Sequence, residues 1–189
     1  MTNETTPKTA LLVIDVQDSF AANQQYWKQR NNPNFEETVT GLIEAFRSKA
    51  MPIFFVLHSA DKPAFRRDSP AYKVMDFVNF RPDDTVIHKT TRSALVQTDL
   101  DSRLRALDVE RLVISGIQTE QCCETTARHG ADLGYEIDFV TEATATFPIR
   151  HWETGVELSA DLITERTEYA LAERFATIVT VDEAVDRLG

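Results

Sequence analysis

The sequence predicts an α/β fold: a three-layer α/β/α sandwich around a six-stranded parallel sheet, as one domain spanning residues 1–189 with 1–8 as a flexible leader. Three observations predict it. Short apolar runs recur from end to end of the chain. They alternate with segments of helical spacing, as parallel strands joined by helical crossovers must. Several runs are almost continuously apolar, which a strand buried on both faces requires.

TALLVIDV (9–16) reads as the first strand. The stretch DSFAANQQYWKQRNNPN (18–34) is polar without a clear period and reads as a long loop. Asn34 then reads as an N-cap, with Glu36 and Glu37 in the first turn of a helix through about Lys49 whose stripe is Leu42, Ile43 and Phe46. PIFFVLH (52–58) is the second strand. Residues 61–84 hold three prolines and mixed charges, with a short helix around 72–77. TVIHK (85–89) is the third strand, 100–107 has helical spacing, and RLVISG (111–116) is the fourth strand. A helix follows from about Glu120 to Leu133, with Gly134 suited to its C-terminal turn. YEIDFV (135–140) is the fifth strand. A loop with Pro148 leads to a helix over roughly 159–174, ATIVT (176–180) is the sixth strand, and Asp182 caps a last short helix.

Composition excludes several classes of function. At 42% hydrophobic and 26% charged, the chain fits a globular protein. A formal net charge of −10 opposes binding to phosphate backbones and to anionic membranes, so neither nucleic acid nor membrane is an expected partner. The N-terminus MTNETTPKTA lacks the apolar core of a signal peptide, and the expected location is cytoplasmic. The two cysteines, Cys122 and Cys123, are adjacent. They can neither staple distant segments nor supply C-x-x-C spacing, so free thiols are expected.

In a parallel sheet of this kind, ligands bind beyond the C-terminal strand ends. Three reactive residues fall there. Asp15 ends the first strand, Lys89 ends the third, and Cys122 lies just past the fourth at a helix start. Each has a plain alternative: a turn residue, a solvated strand end, a small core hydrophobe. Together they suit nucleophilic catalysis. A helix N-terminus and a nearby cation favour a thiolate. Unpaired N–H groups of the first turn suit an oxyanion, Asp15 suits proton transfer, and Lys89 suits holding Asp15 ionised.

Across nearly its whole length the chain resembles the isochorismatase-like cysteine hydrolases. LLVIDVQDSF resembles their first-strand motif at Asp15. HKTTRSAL resembles their lysine motif, with Lys89 followed by Ser93 and Ala94. GIQTEQCCETTARHG resembles their nucleophile motif, matching at Gly116, Thr119, Cys122, Thr126 and Ala127. The resemblance implies sheet order 3-2-1-4-5-6, an Asp15–Lys89–Cys122 triad and a non-proline cis peptide at Ile117–Gln118. It further implies an oxyanion hole from the Gln118 and Cys122 N–H groups. The family pattern has an apolar residue where Cys123 stands, which makes Cys122 the nucleophile and turns Cys123 inward. It also implies a homodimer or homotetramer, with the apolar face of 158–171 as contact area.

The substrate is expected to be a small molecule with an amide, ureide or carbamoyl C–N bond. The alternatives are an isochorismatase-type vinyl ether hydrolase and a non-catalytic binding or redox-responsive relative. Nicotinamidases of this superfamily carry a metal site built from Asp-x-His and a later histidine. LHSADKPAFRRDSP has His58 and Asp61 but no second histidine before His88, so no metal and no cofactor are expected. His58 then reads as a satisfied strand-end residue. No G-x-G-x-x-G follows any strand. Phe20, Trp27, Tyr72 and Phe147 are candidate substrate-binding aromatics, with ordinary core packing as their alternative. Arg92, Arg150 and His151 suit either an anionic substrate or surface charge.

Overall fold

The structure, a computed structural model, describes residues 8–188. The leader expected over 1–8 therefore lies outside the described residues except for Lys8, which is anchored: its carbonyl accepts from the Glu110 and Arg111 amides.

Six parallel strands form the sheet: β1 (Thr9–Ile14), β2 (Ile53–His58), β3 (Thr85–Lys89), β4 (Arg111–Ile117), β5 (Glu136–Ala145) and β8 (Thr177–Ile178). Their order is β3-β2-β1-β4-β5-β8, the predicted order. The sixth sheet strand is numbered eighth because a small antiparallel hairpin, β6 (Ile149–Arg150) with β7 (Glu157–Leu158), precedes it. That hairpin stands where a plain loop was expected; two-residue strands leave no alternation to read.

Both faces of the sheet are covered. In β1, alternate residues go to opposite sides. Ala10, Leu12 and Ile14 join one core with Leu104, Ala127 and Leu171 of α4 (Leu100–Ala106), α5 (Glu124–Asp132) and α6 (Ala160–Leu171). Leu11 and Val13 join the other core with Leu42, Ile43 and Phe46 of α3 (Phe35–Ser48) and Ala184 of α7 (Val181–Asp186). Those three α3 side chains are fully buried, each worth about 1.5–3 kcal/mol of transfer free energy.

Several local expectations need correction. The loop at 18–34 contains two single-turn helices, α1 (Asp18–Ala21) and α2 (Gln24–Trp27). Asn23 caps the second, accepting from the Gln25 and Tyr26 amides at 3.1 Å each; four residues are too few to show a 3.6 period. Asn34 precedes α3, but its side chain makes no cap bond. The short helix expected at 72–77 is a 3₁₀ turn at Asp76–Val78, and another lies at Pro63–Phe65. The segment expected as helix from 120 begins as a wide π turn, Thr119–Cys123, before α5. The last helix is capped by Thr180, not Asp182: Thr180 and Glu183 form a reciprocal capping box, and Asp182 sits in the first turn.

Candidate active site

The sheet changes direction between β1 and β4, and the three candidate residues meet at that edge. Asp15 follows β1 in a left-handed conformation, φ 54°, so the chain turns sharply as soon as the strand ends. β4 approaches β1 closely there. Gly116 has φ +128°, and a Cβ on it would lie 1.9 Å from the Ile14 carbonyl oxygen, so only glycine fits. The next peptide, Ile117–Gln118, is cis. Cys122 lies in the wide turn beyond it.

Lys89 is the hub. Its Nζ donates to Asp15 Oδ2 at 2.7 Å, to Cys122 Sγ at 3.2 Å and to the Thr91 carbonyl at 3.2 Å. The Lys89 and Asp15 side chains are both fully buried, a costly arrangement stable only because the charges are paired. Asp15 Oδ1 is buried and has no hydrogen-bond partner among the described residues. The turn holding Cys122 is tied to the lysine segment: Thr126 Oγ1 donates to the Cys122 carbonyl at 2.7 Å and accepts from the Ala94 amide at 3.0 Å. Ser93 Oγ meets His129 Nδ1 at 2.9 Å, and Thr119 Oγ1 donates to Thr144 Oγ1 at 2.8 Å. The motif residues around the triad thus brace it.

The electrostatics correct one expectation. Burial, then the neighbouring Asp15 carboxylate, push the Cys122 thiol up to about 12, so the resting sulfur is a thiol and not the thiolate expected at a helix start. Lys89 pulls the other way but is already committed to Asp15. Burial also raises Asp15 above the usual carboxylate range, against the opposing pull of Lys89. A base raised in this way is better matched to a thiol proton.

His58 stands beside this group. Burial, then Lys89, Arg92 and Lys62, lower it to about 4, so the ring is neutral. Its Nδ1 is 3.4 Å from Lys89 Nζ and its Nε2 is 3.3 Å from Arg92 Nη1. Both of these neighbours can only donate, and the backbone hydrogen bond with Thr91 opposes their lowering effect on the ring. His58 is therefore satisfied, as expected of a strand-end residue, but it also orients Arg92.

A cleft of about 700 Å³ opens over Cys122. Phe20 lines it. The other three aromatic candidates do not: Trp27 and Phe147 are buried core residues, and Phe147 stacks beneath Tyr26 with ring centroids 4.0 Å apart. Tyr72 faces His88, its hydroxyl 2.9 Å from Nδ1. Arg150 and His151 belong to the hairpin, where Arg150 pairs with Glu157 at 2.9 Å. Of the basic candidates only Arg92 lines the cleft. Among the described residues no group of three His, Cys, Asp or Glu side chains is placed to hold a metal ion.

Sequence reasoning missed several contributors. Gln17 is fully buried, and its side-chain amide pairs with the backbone of His58, accepting from its N–H at 2.7 Å and donating to its carbonyl at 3.1 Å. It extends the β1–β2 pairing past the strand ends and so steadies His58. Tyr26, Phe65, Lys62 and Gln121 join Phe20 in the cleft wall. Gln118 Nε2 donates to Tyr26 Oη at 3.1 Å. A fully polar residue two places after Asp15 was the available signal for Gln17. No local signal marked the others, because distant loops bring them together.

The Isochorismatase domain profile matches residues 9–182. A solved structure of an isochorismatase-family protein from Chromobacterium violaceum superposes with a TM-score of 0.89 at 28% identity, covering 100% of this chain and 97% of that one. Nicotinamidase 3 of Arabidopsis thaliana is 30% identical over 154 residues, 73% of each chain. Ureidoacrylate amidohydrolase RutB of Caulobacter vibrioides is 26% identical over 174 residues, 73% of this chain and 77% of that one.

Proposed function

Because the chain belongs to the isochorismatase family, we propose that it is a cysteine hydrolase that cleaves an amide, ureide or carbamoyl C–N bond of a small molecule through a covalent intermediate on Cys122. The observation that carries this reading is the division of labour at Asp15. Oδ2 is held by Lys89, which also contacts the sulfur, while Oδ1 is buried without a hydrogen-bond partner among the described residues. Names of relatives that denote amide-cleaving enzymes support the same chemistry.

In the first half-reaction Asp15 takes the thiol proton as Sγ adds to the substrate carbonyl carbon. The Gln118 and Cys122 N–H groups are the proposed donors to the developing oxyanion. Collapse breaks the C–N bond, and the proton on Asp15 leaves with the amine. Water then adds to the thioester, giving its proton to Asp15. The second collapse releases the acid and returns the proton to sulfur. Lys89 holds the carboxylate in place throughout.

The test is a panel of amides, ureides, carbamoyl compounds and isochorismate, assayed with and without EDTA, with intact-protein mass spectrometry after rapid quenching. Turnover of C–N substrates that survives chelation, with a transient mass gain on Cys122, is the expected result. Hydrolysis of isochorismate alone, without an adduct, would move the ether reading ahead. Activity lost to EDTA and restored by a divalent ion would show that a metal does part of the work.

A second copy of the chain is the proposed partner. The hairpin exposes Trp152 (88%) and Val156 (67%) beside Ile149 and Leu158, and Leu162 and Tyr169 of α6 also face outward. Within 158–171 the inward side, Ile163, Thr167 and Leu171, is already buried within the fold, where Thr167 donates to Glu124 of α5. An apolar strip of this kind is usual at an interface. Light scattering at micromolar concentration should give at least a dimer mass, and Trp152→Glu should lower it. A strictly monomeric wild type rules the partner out.

A further inference from the structure

Resting on the reading of Cys122 as nucleophile, we infer that Arg92, oriented by His58, is a specificity-determining residue that binds a carboxylate on the substrate, so that the compound hydrolysed is itself an acid. The first observation is the charge of the cleft. The chain carries a net −10, yet the cleft lining contains Lys62 and Arg92 and no aspartate or glutamate. The carboxylate beneath the floor, Asp15, is fully buried and paired with Lys89. An anion entering the cleft thus meets unpaired cations and no like charge.

The second observation is the state of Arg92. Arg92 is an exposed residue, and its hydrogen bond among the described residues is to the neutral His58 ring at 3.3 Å. One Nη1 donor is used to set the plane of the group. The remaining donors form a fork suited to bidentate binding of a carboxylate. On its far side Arg92 borders a shallower recess containing Asp61 and Asp68, but Asp68 is paired with Arg66 at 3.2 Å and neither acid pairs with Arg92.

The third observation is the aromatic part of the lining. Phe20 and Phe65 pack edge to face with centroids 5.0 Å apart, and both line the same cleft. The cleft therefore offers, in one concavity, a sulfur for a carbonyl carbon, an aromatic wall for an apolar body and a guanidinium for an acidic end. A small acid with its scissile carbonyl at one end fits all three. A neutral amide leaves Arg92 unused.

Cys122 can be labelled without knowing the natural substrate, which makes the inference testable directly. The matched probes are 3-maleimidopropionate and its methyl ester, which differ in one charge. Labelling rates on Cys122 are followed by intact mass and peptide mapping in wild type, Arg92→Gln and Arg92→Lys. The ratio of acid to ester rates is the readout, because any change in thiol reactivity cancels in it. That ratio should fall about tenfold in Arg92→Gln, the size of one charge-assisted contact, and be partly retained in Arg92→Lys. Arg92 is exposed, so both variants should melt with wild type. A ratio unchanged in Arg92→Gln overturns the carboxylate subsite and leaves the nucleophile reading standing. Failure of both probes to label Cys122 overturns the nucleophile reading and the subsite with it.

Discussion

Cys122→Ala is expected to lower kcat/KM on any accepted C–N substrate by at least about 10³-fold, while Cys123→Ala keeps most of the activity. The two sulfurs are adjacent in the chain but differ in surroundings. Cys122 faces the cleft and lies 3.2 Å from Lys89 Nζ. Cys123 is wholly buried in the core beneath, and burial pushes its thiol well above the ordinary range, so it neither reaches substrate nor ionises. The cost of Cys123→Ala should be thermal, about 1 kcal/mol for a small core truncation. Steady-state kinetics and a thermal melt on both variants decide the point. An active Cys122→Ala enzyme, or an inactive but well folded Cys123→Ala enzyme, would falsify the assignment.

Asp15→Asn is expected to remove about 10²–10⁴-fold of kcat, the usual contribution of a general base. The amide can still accept from Lys89, but it cannot take a proton from sulfur. The variant also leaves the buried Lys89 ammonium without its counter-charge, which costs about 3–5 kcal/mol when a buried pair is broken. Loss of folding must therefore be separated from loss of the base. The double variant Asp15→Asn/Lys89→Met removes both charges together and should recover much of the thermal stability without recovering turnover. Recovered turnover in the double variant would mean that Asp15 acts only as a counter-ion.

The pH profile supplies an independent check on the same residue. A base works only when deprotonated. Burial raises Asp15 above the ordinary aspartate value of 3.8, so the acid limb of kcat/KM should rise with pH through a midpoint above that value. A limb at or below the ordinary aspartate value would contradict the assignment.

The strands that carry the site were legible because each is a compact apolar run with its own turn signals. β3 was placed residue for residue, and β1, β2 and β4 to within two residues. β5 was not: it continues past Val140 to Ala145, through residues with little apolar character. Its second half is a strand only because Thr144 and Ala145 pair with Gly116 and Ile117 after a register shift. The wide turn at Thr119–Cys123 was hidden for a similar reason. Residue preferences do not separate a π turn from the first turn of an α-helix, and this one leads out of a β4 end that only glycine allows so close to β1.

By itself, the sequence determined the layer architecture and the placing of Asp15, Lys89 and Cys122 at strand ends, because the ends of nearly continuous apolar runs fix where strands stop and strand ends of a parallel sheet share one edge. Tertiary structure alone decided the rest. It set the protonation of the thiol, since desolvation and the Asp15 charge outweigh the Lys89 cation only once all three are buried together. It removed Trp27, Tyr72 and Phe147 from the cleft and brought in Tyr26, Lys62 and Phe65, because which face of a one-turn helix or proline-rich loop points inward depends on what packs behind it. Arg92 reads as an ordinary charge in HKTTRSAL; its meaning comes from the neutral His58 beside it and from a cleft lining without acids, and both are properties of residues far away in the chain.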